Sequence, residues 1–352
     1  MKFQHLKGAL LKTALCFSLV LLIAGENLAQ DGIFSKKNKI NRYSYLSIGG
    51  GSSHYFGDLA PYRVFYYSLY TNVRWNATLN YTRQLSPRVG ARIGFTYARI
   101  AGDDFNFAQR NLTRYYANYL RNLHFRNDIK EFTLSGVFNL LPQTGKGQQG
   151  RRNFMPYAVL GIGFYGHNPV AKAPVTIESG VVSVTKGWVP LKTQTTAGQG
   201  LDPSFPKSYS LLQVVFPGAL GLKMKINEKF DLNFECGLRI TPFDYLDDVS
   251  ADKYPNPTLL GDAKIYSNRT AEDYSARTGK DRIPVFEDIM TNPVYGLNKS
   301  GVITPSAMGE QNIGIGYAAG LGRGTPKWDS YFVSQITISY IIGSTIKCPP
   351  IK

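Results

Sequence analysis

Beyond its opening residues, this chain has no run of about 18 apolar residues, the length a membrane-crossing helix requires, and helical membrane spans are excluded. Cysteine is scarce. Of the three in the sequence, Cys16 lies in the opening segment and only Cys236 and Cys348 follow it, too few for a disulfide framework. Histidine is scarce as well: beyond the start there are His54, His124 and His167, which leaves little material for acid–base catalysis. Acidic residues are outnumbered, 24 Asp and Glu against 40 Lys and Arg, for a formal charge of +16. Such a balance suits nucleic acid, anionic lipid headgroups or an acidic protein partner.

The first residues choose among these. Lys2, Lys7 and Lys12 precede a short apolar stretch at 14–24, and Ala29-Gln30 offers a cleavage point. This is the pattern of a secretory signal peptide over 1–29, which takes Cys16 with it. An exported chain rarely meets nucleic acid, so lipid headgroups and an acidic partner remain. The 23 Tyr and 20 Phe add a further hint, because aromatic girdles mark both edges of a membrane barrel.

The rest of the chain alternates with period two. At 230–241, Phe230, Leu232, Phe234, Cys236, Leu238 and Ile240 share one face, and Asp231, Asn233, Glu235, Gly237, Arg239 and Thr241 share the other. Similar strands are expected at 43–55, 73–85, from Val89 to about 100, and at 128–141, 154–166, 209–225 and 329–342. Every second connection is short (86–88, 142–152, 226–229), and the others, among them 101–127, 167–207 and 244–327, are long. The expected fold is therefore all-β: an eight-stranded antiparallel transmembrane β-barrel of the outer membrane over 43–342, with short periplasmic turns and long extracellular loops. Residues 30–42 and 343–352 become periplasmic segments. A soluble barrel shares the strand count with the apolar face turned inward, and periodicity alone does not choose. A barrel this narrow fills with side chains, which argues against a solute pore.

Three patterns invite chemistry. Gly161-Ile162-Gly163-Phe164-Tyr165-Gly166 matches a dinucleotide fingerprint, yet Asn168-Pro169 follows where a helix is needed, so the glycines are expected to relieve crowding inside the barrel. Ser52-Ser53-His54 raises a lipid-modifying hydrolase, for which no third group is evident. Asp244, Asp247 and Asp248 supply oxygen ligands for a cation without EF-hand spacing; the alternative is a turn paired with Arg239 or Lys253. No cofactor and no enzymatic activity are expected.

Charge is more informative. Most of the basic excess falls on the presumed periplasmic segments, including Lys146, Arg151, Arg152 and Lys347, with Asp31 and Glu228 opposing it. Headgroup contact and docking to an acidic partner both account for that rim. Cys348 lies on the oxidising side with no partner in its own chain, so it is either a free thiol or half of an intermolecular disulfide.

Short motifs then recur in consistent order: Tyr55-Phe56-Gly57-Asp58-Leu59, Arg121-Asn122-Leu123-His124-Phe125-Arg126, Trp188 with Gly198-Gln199-Gly200, Tyr209-Ser210, Asp244-Tyr245-Leu246-Asp247-Asp248-Val249-Ser250, Arg323-Gly324 with Tyr331-Phe332, and Cys348-Pro349. In these the chain resembles the PorG-like outer-membrane barrels of the type IX protein secretion machinery. Thr196-Ala197 and Pro217-Gly218-Ala219 depart from that pattern. The resemblance implies a non-enzymatic component of the secretion and gliding apparatus, associated with a periplasmic ring built from a lipoprotein and its partner subunit. Alternatives are a lipid-modifying enzyme and a surface protein that binds through its outer loops.

Overall fold

The computed structural model describes residues 42–60, 69–143, 147–201, 203–250, 253–317 and 322–342. The expected signal peptide 1–29, nearly all of the 30–42 segment, Lys146, and the tail with Lys347 and Cys348 lie outside the described residues. Eight long strands form the framework: β1 (Tyr43–Phe56), β2 (Arg74–Gln84), β3 (Val89–Asp103), β4 (His124–Asn139), β5 (Phe154–Gly166), β6 (Leu212–Lys225), β7 (Phe230–Ile240) and β8 (Ser330–Ile342). Each pairs antiparallel with the next, and β8 returns to β1 in continuous register from Ser44 opposite Ile342 to Phe56 opposite Ser330. The sheet is closed and leaves no strand edge on the barrel wall.

Burial decides which face is inside. On β2, Asn76, Thr78, Asn80 and Thr82 are buried, while Trp75, Leu79 and Tyr81 are exposed. On β7, Asp231, Asn233, Glu235 and Arg239 are buried, and Phe230, Phe234, Leu238 and Ile240 are exposed. The free thiol of Cys236 faces outward with them. This is the inverse of a water-soluble barrel, and it rules that alternative out. Aromatic residues stand toward both ends of the apolar wall: Tyr81, Phe154, Phe230 and Tyr340 near the short turns, and Trp75, Tyr97, Phe164 and Phe216 nearer the long loops.

The bore is filled by paired charges. Arg92 donates to Glu235 at 2.7 Å, and Tyr157 donates to the same carboxylate at 3.0 Å. Arg239 reaches Glu131 at 3.3 Å, and Tyr331 also donates to Glu131. Lys223 donates to the Tyr45 hydroxyl at 3.1 Å. Between Arg92, Glu235, Arg239 and Thr133 a cavity of about 10 Å³ remains, room for about one water. Gly161 keeps β4 and β5 close, since a Cβ there would fall 2.3 Å from Ser135 Oγ; the glycines of that motif sit within a strand, with no helix start to hold phosphate.

At the long-loop end the strands run further than their alternation suggests, β3 to Asp103 and β4 from His124, whereas β6 begins later, at Leu212. The expected loop 101–127 contains two short helices, α1 (Asp104–Ala108) and α2 (Leu112–Arg121). Asp103 caps α1 by accepting from the Asn106 amide at 3.3 Å, Asn111 caps α2 through the Arg114 amide at 3.2 Å, and Asn122 ends α2 in the left-handed region. With α3 (Ile283–Thr291) from the longest loop, they bury Phe105, Phe107, Tyr119, Phe286, Ile289 and Met290 in a second hydrophobic core above the barrel. The outer loops thus fold into a cap with its own interior.

Candidate functional site at the outer mouth

The dispersed motifs of the sequence meet beneath this cap. As β1 leaves the barrel it delivers Tyr55 and then Asp58; the segment entering β8 delivers Asp329; the 244–250 turn lies between them. The Tyr55 hydroxyl is 2.7 Å from Asp247 Oδ2 and 2.8 Å from Asp329 Oδ1. Asp329 Oδ2 accepts from the Leu246 amide at 2.9 Å, and Asp247 Oδ1 from the Val249 amide at 2.9 Å. A phenol carries one hydrogen and cannot donate to both carboxylates. One of the two must itself hold a proton and donate it to the tyrosine oxygen.

The surroundings agree. Burial, with Asp58 beside it, pushes Asp247 up to about 8. Burial together with Asp247, Asp244 and Asp58 raises Asp329 well above the usual carboxylate range. Asp244 is pushed up to about 9 by burial and by Asp58 and Asp247. The opposing cation is Arg121 at the end of α2. It grips Asp104 through two bonds of 2.7 and 2.8 Å, and it donates to the carbonyls of Arg323 at 2.6 Å and Asp58 at 2.8 Å.

Asp248 turns the other way. Its backbone lies in the left-handed region at φ 65, unusual for a residue with a side chain. The Tyr209 hydroxyl at 2.7 Å, the Gln199 amide at 2.9 Å and Thr196 hold its carboxylate, while Arg323 donates to its carbonyl at 2.8 Å. Thr196 also accepts from Arg323 at 3.0 Å. Here a threonine both donates and accepts, whereas an acidic residue would face Asp248 with like charge. Tyr245 stacks on Tyr209 at 4.9 Å, Leu246 is fully buried, and Ser250 is buried at the end of the turn. Of the two cations that the sequence offered as partners, Arg239 lies inside the barrel on Glu131, and neither it nor Lys253 forms an ion pair with the turn among the described residues; the guanidinium beside Asp248 is that of Arg323. Among the described residues no group of three or more His, Cys, Asp or Glu is arranged to hold a metal ion.

Gly57 is integral to this arrangement. A Cβ there would fall 1.7 Å from the Tyr55 hydroxyl and 2.1 Å from Asp329 Oδ1. Gly57→Ala is expected to expel the hydroxyl and weaken the cap by roughly 1–3 kcal/mol while the barrel persists. Limited proteolysis of the outer loops, compared with heat-modified gel mobility of the barrel, measures the two separately.

The other sequence candidates lie apart. Ser52, rather than its neighbour Ser53, reaches His54: its hydroxyl is 2.8 Å from His54 Nε2 and 2.7 Å from Ser334 Oγ, on the outer wall. At the opposite end Arg151 is buried, ion-paired with Asp231, and donates to the carbonyls of Asn227 at 3.0 Å and Glu228 at 2.6 Å. Arg152 is the more exposed cation of that turn and donates to the Pro142 carbonyl at 2.6 Å. Asp104 and Asp329 join the mouth cluster with nothing local in the sequence to mark them, and Thr196 stands out in sequence only as a departure from the PorG-like pattern.

A closed antiparallel barrel, polar within and apolar without, is the form in which strands cross a bilayer. The chain is an integral β-barrel of the bacterial outer membrane whose outer mouth is stoppered by a folded cap. Residues 30–174 match a family described as a domain of unknown function, DUF6089. No curated protein matches the chain significantly. Among solved structures it is similar to Ail, the attachment invasion locus protein of Yersinia pestis, crystallised with the heparin analogue sucrose octasulfate, at 10% identity and TM-score 0.33 over 86% of this chain and 99% of that one. Neisserial surface protein A (6%, TM-score 0.32, covering 84% and 96%) and the outer membrane protein OprG from Pseudomonas aeruginosa (10%, TM-score 0.30, covering 86% and 98%) are similar in the same way.

Proposed function

We propose that this chain is a non-enzymatic anchoring component of the type IX protein secretion and gliding machinery, docking a periplasmic lipoprotein-containing ring to the outer membrane. The observation that carries the reading is the convergence of the PorG-like motifs on one buried cluster: Tyr55, Asp58, Arg121, Gln199, Tyr209, the 244–250 turn and Arg323 come together although they are spread over most of the chain. Side chains fill the bore and the cap covers its outer mouth, which favours holding a partner over passing a solute. The face left for that partner is the short-turn rim, where Arg88, Arg152, Lys225 and Lys229 stand. Lys146, Lys347 and Cys348 add to it from sequence.

The partner contact is expected to include a mixed disulfide from Cys348 to the ring lipoprotein. Non-reducing gels of native membranes should show a higher-mass band that collapses with reductant and is missing in Cys348→Ser. A single monomer band in both strains defeats the disulfide, and a purified complex without any further subunit defeats the anchoring role.

A further inference from the structure

On the outward faces of β5 to β8, the residues nearest the outer ends are apolar or small: Phe164, Leu212, Phe216, Leu238, Ile240, Phe332 and Ser334. The outward face of β3 and β4 differs. Its cross-strand pairs climb from Phe95 opposite Phe132, through Tyr97 opposite Lys130 and Arg99 opposite Asp128, to Ala101 opposite Arg126. Phe95 and Phe132 are 46% and 55% exposed, so the ladder starts in the hydrocarbon. Each two-residue step advances about 7 Å along the tilted strand, so Lys130 stands nearest the apolar wall, with Arg99 and Arg126 successively further outward.

Charge on this ladder is unbalanced. Arg99 closes on Asp128 with bonds of 2.6 and 3.0 Å, which neutralises one cation. Arg126 reaches the same carboxylate only at 3.8 Å, and its guanidinium lies 4.4 Å from the centre of the Trp188 ring. Its Nε is buried without a hydrogen-bond partner among the described residues. Lys130 is exposed and forms no ion pair among the described residues. Lys172, whose Nζ lies 5.1 Å from the centre of the same ring, donates to the Lys186 carbonyl at 2.6 Å. Arg126, left with a distant hold on a carboxylate that Arg99 already occupies, and the unpaired Lys130, on a ladder rising directly from a pair of lipid-facing phenylalanines, form an anion seat joined to an acyl-chain wall.

We propose that the outer face of β3 and β4 binds an anionic lipid of the outer leaflet, with a headgroup phosphate between Lys130 and Arg126 and acyl chains on Phe95 and Phe132. The continuity of cations with apolar wall is what selects a lipid over a soluble anion. The site is independent of the periplasmic docking described above.

The test uses the full chain purified in a neutral detergent. Lipopolysaccharide with phosphorylated lipid A, the same glycolipid dephosphorylated, and inorganic phosphate are each titrated while thermal unfolding and lipid retained in native mass spectra are followed. The phosphorylated glycolipid is expected to bind and raise Tm, and Arg126→Gln with Lys130→Gln to weaken it roughly tenfold. Lys299→Gln, at an exposed position of the outer cap, should leave binding unchanged. Should the double variant fail to fold, Lys130→Gln alone, at an exposed position, is expected to lose roughly threefold. The proposal is overturned by equal affinity in parent and variants, by equal binding of the dephosphorylated lipid, by full displacement with inorganic phosphate, or by no binding at all.

Discussion

Glu235→Ala is expected to destabilise the barrel by about 3–5 kcal/mol, more than any outward-facing substitution. Glu235 accepts from Arg92 at 2.7 Å and from Tyr157 at 3.0 Å in a bore with space for only about one water nearby. Removing the carboxylate strands the Arg92 guanidinium in a desolvated interior, and the methyl of alanine replaces none of its hydrogen bonds. Removing both charges together is a different matter: Glu235→Leu with Arg92→Met leaves no orphan ion and is expected to recover most of the loss. Urea unfolding in detergent, followed by tryptophan fluorescence and gel mobility, distinguishes the two variants. Equal stability of Glu235→Ala and the parent would show that water reaches the bore freely.

The second large effect concerns pH and the cap. Asp247, pushed up to about 8, Asp244, pushed up to about 9, and Asp329 all bind protons more tightly in the folded cap than in an unfolded chain. A raised carboxyl pKa means that the native state holds more protons than the unfolded one between the two pKa values. Stability therefore falls as pH rises through that window. Asp58, also raised by burial, acts with the same sign. His167, lowered to about 4 by burial, acts oppositely, but only below its unfolded value near 6.5. From pH 6.5 to 9 the carboxyls thus dominate, and titration of Asp247 alone is expected to cost the cap about 2 kcal/mol of protection. Hydrogen exchange of the 244–250 amides across that range measures it. Asp329→Asn, which supplies the missing hydrogen as an amide, should flatten the dependence; an unchanged slope in that variant would remove the shared proton between Tyr55, Asp247 and Asp329 as its cause.

Much of the barrel can be read from sequence because each strand carries its own period. The alternation of Trp75, Ala77, Leu79 and Tyr81 with Asn76, Thr78, Asn80 and Thr82 needs no knowledge of neighbouring strands. It separates two faces without saying which is inside; closure of β8 on β1 settles that by enclosing the polar one. The short helices of the cap left fainter marks. Asn111 before Leu112, with Tyr115 and Tyr119 four apart, is a capped amphipathic turn that the aromatic and basic composition of 101–127 obscures. The mouth cluster was legible only as separate motifs. Asp104 and Asp329 are unremarkable in their own neighbourhoods, Thr196 shows only as a departure from the PorG-like pattern, and Arg239 and Lys253 looked like natural partners of the acidic turn because they flank it in sequence. Partners of Asp248 and Arg121 that are 39 to 202 positions away are set by how the loops cross the barrel, which no local period encodes.

The bond between Tyr55 and Asp329 spans 274 positions, from the end of the first strand to the residue just before the last. Those two ends become neighbours only when β8 zips onto β1, so the stopper cannot be completed on an open sheet. Assembly therefore has a built-in order: the wall seals first, and the surface cap is fastened afterwards by the same two strands that form the seam. A chain whose seam has not closed would display unfastened outer loops, and susceptibility of those loops to protease at the cell surface would report barrel completion from the outside.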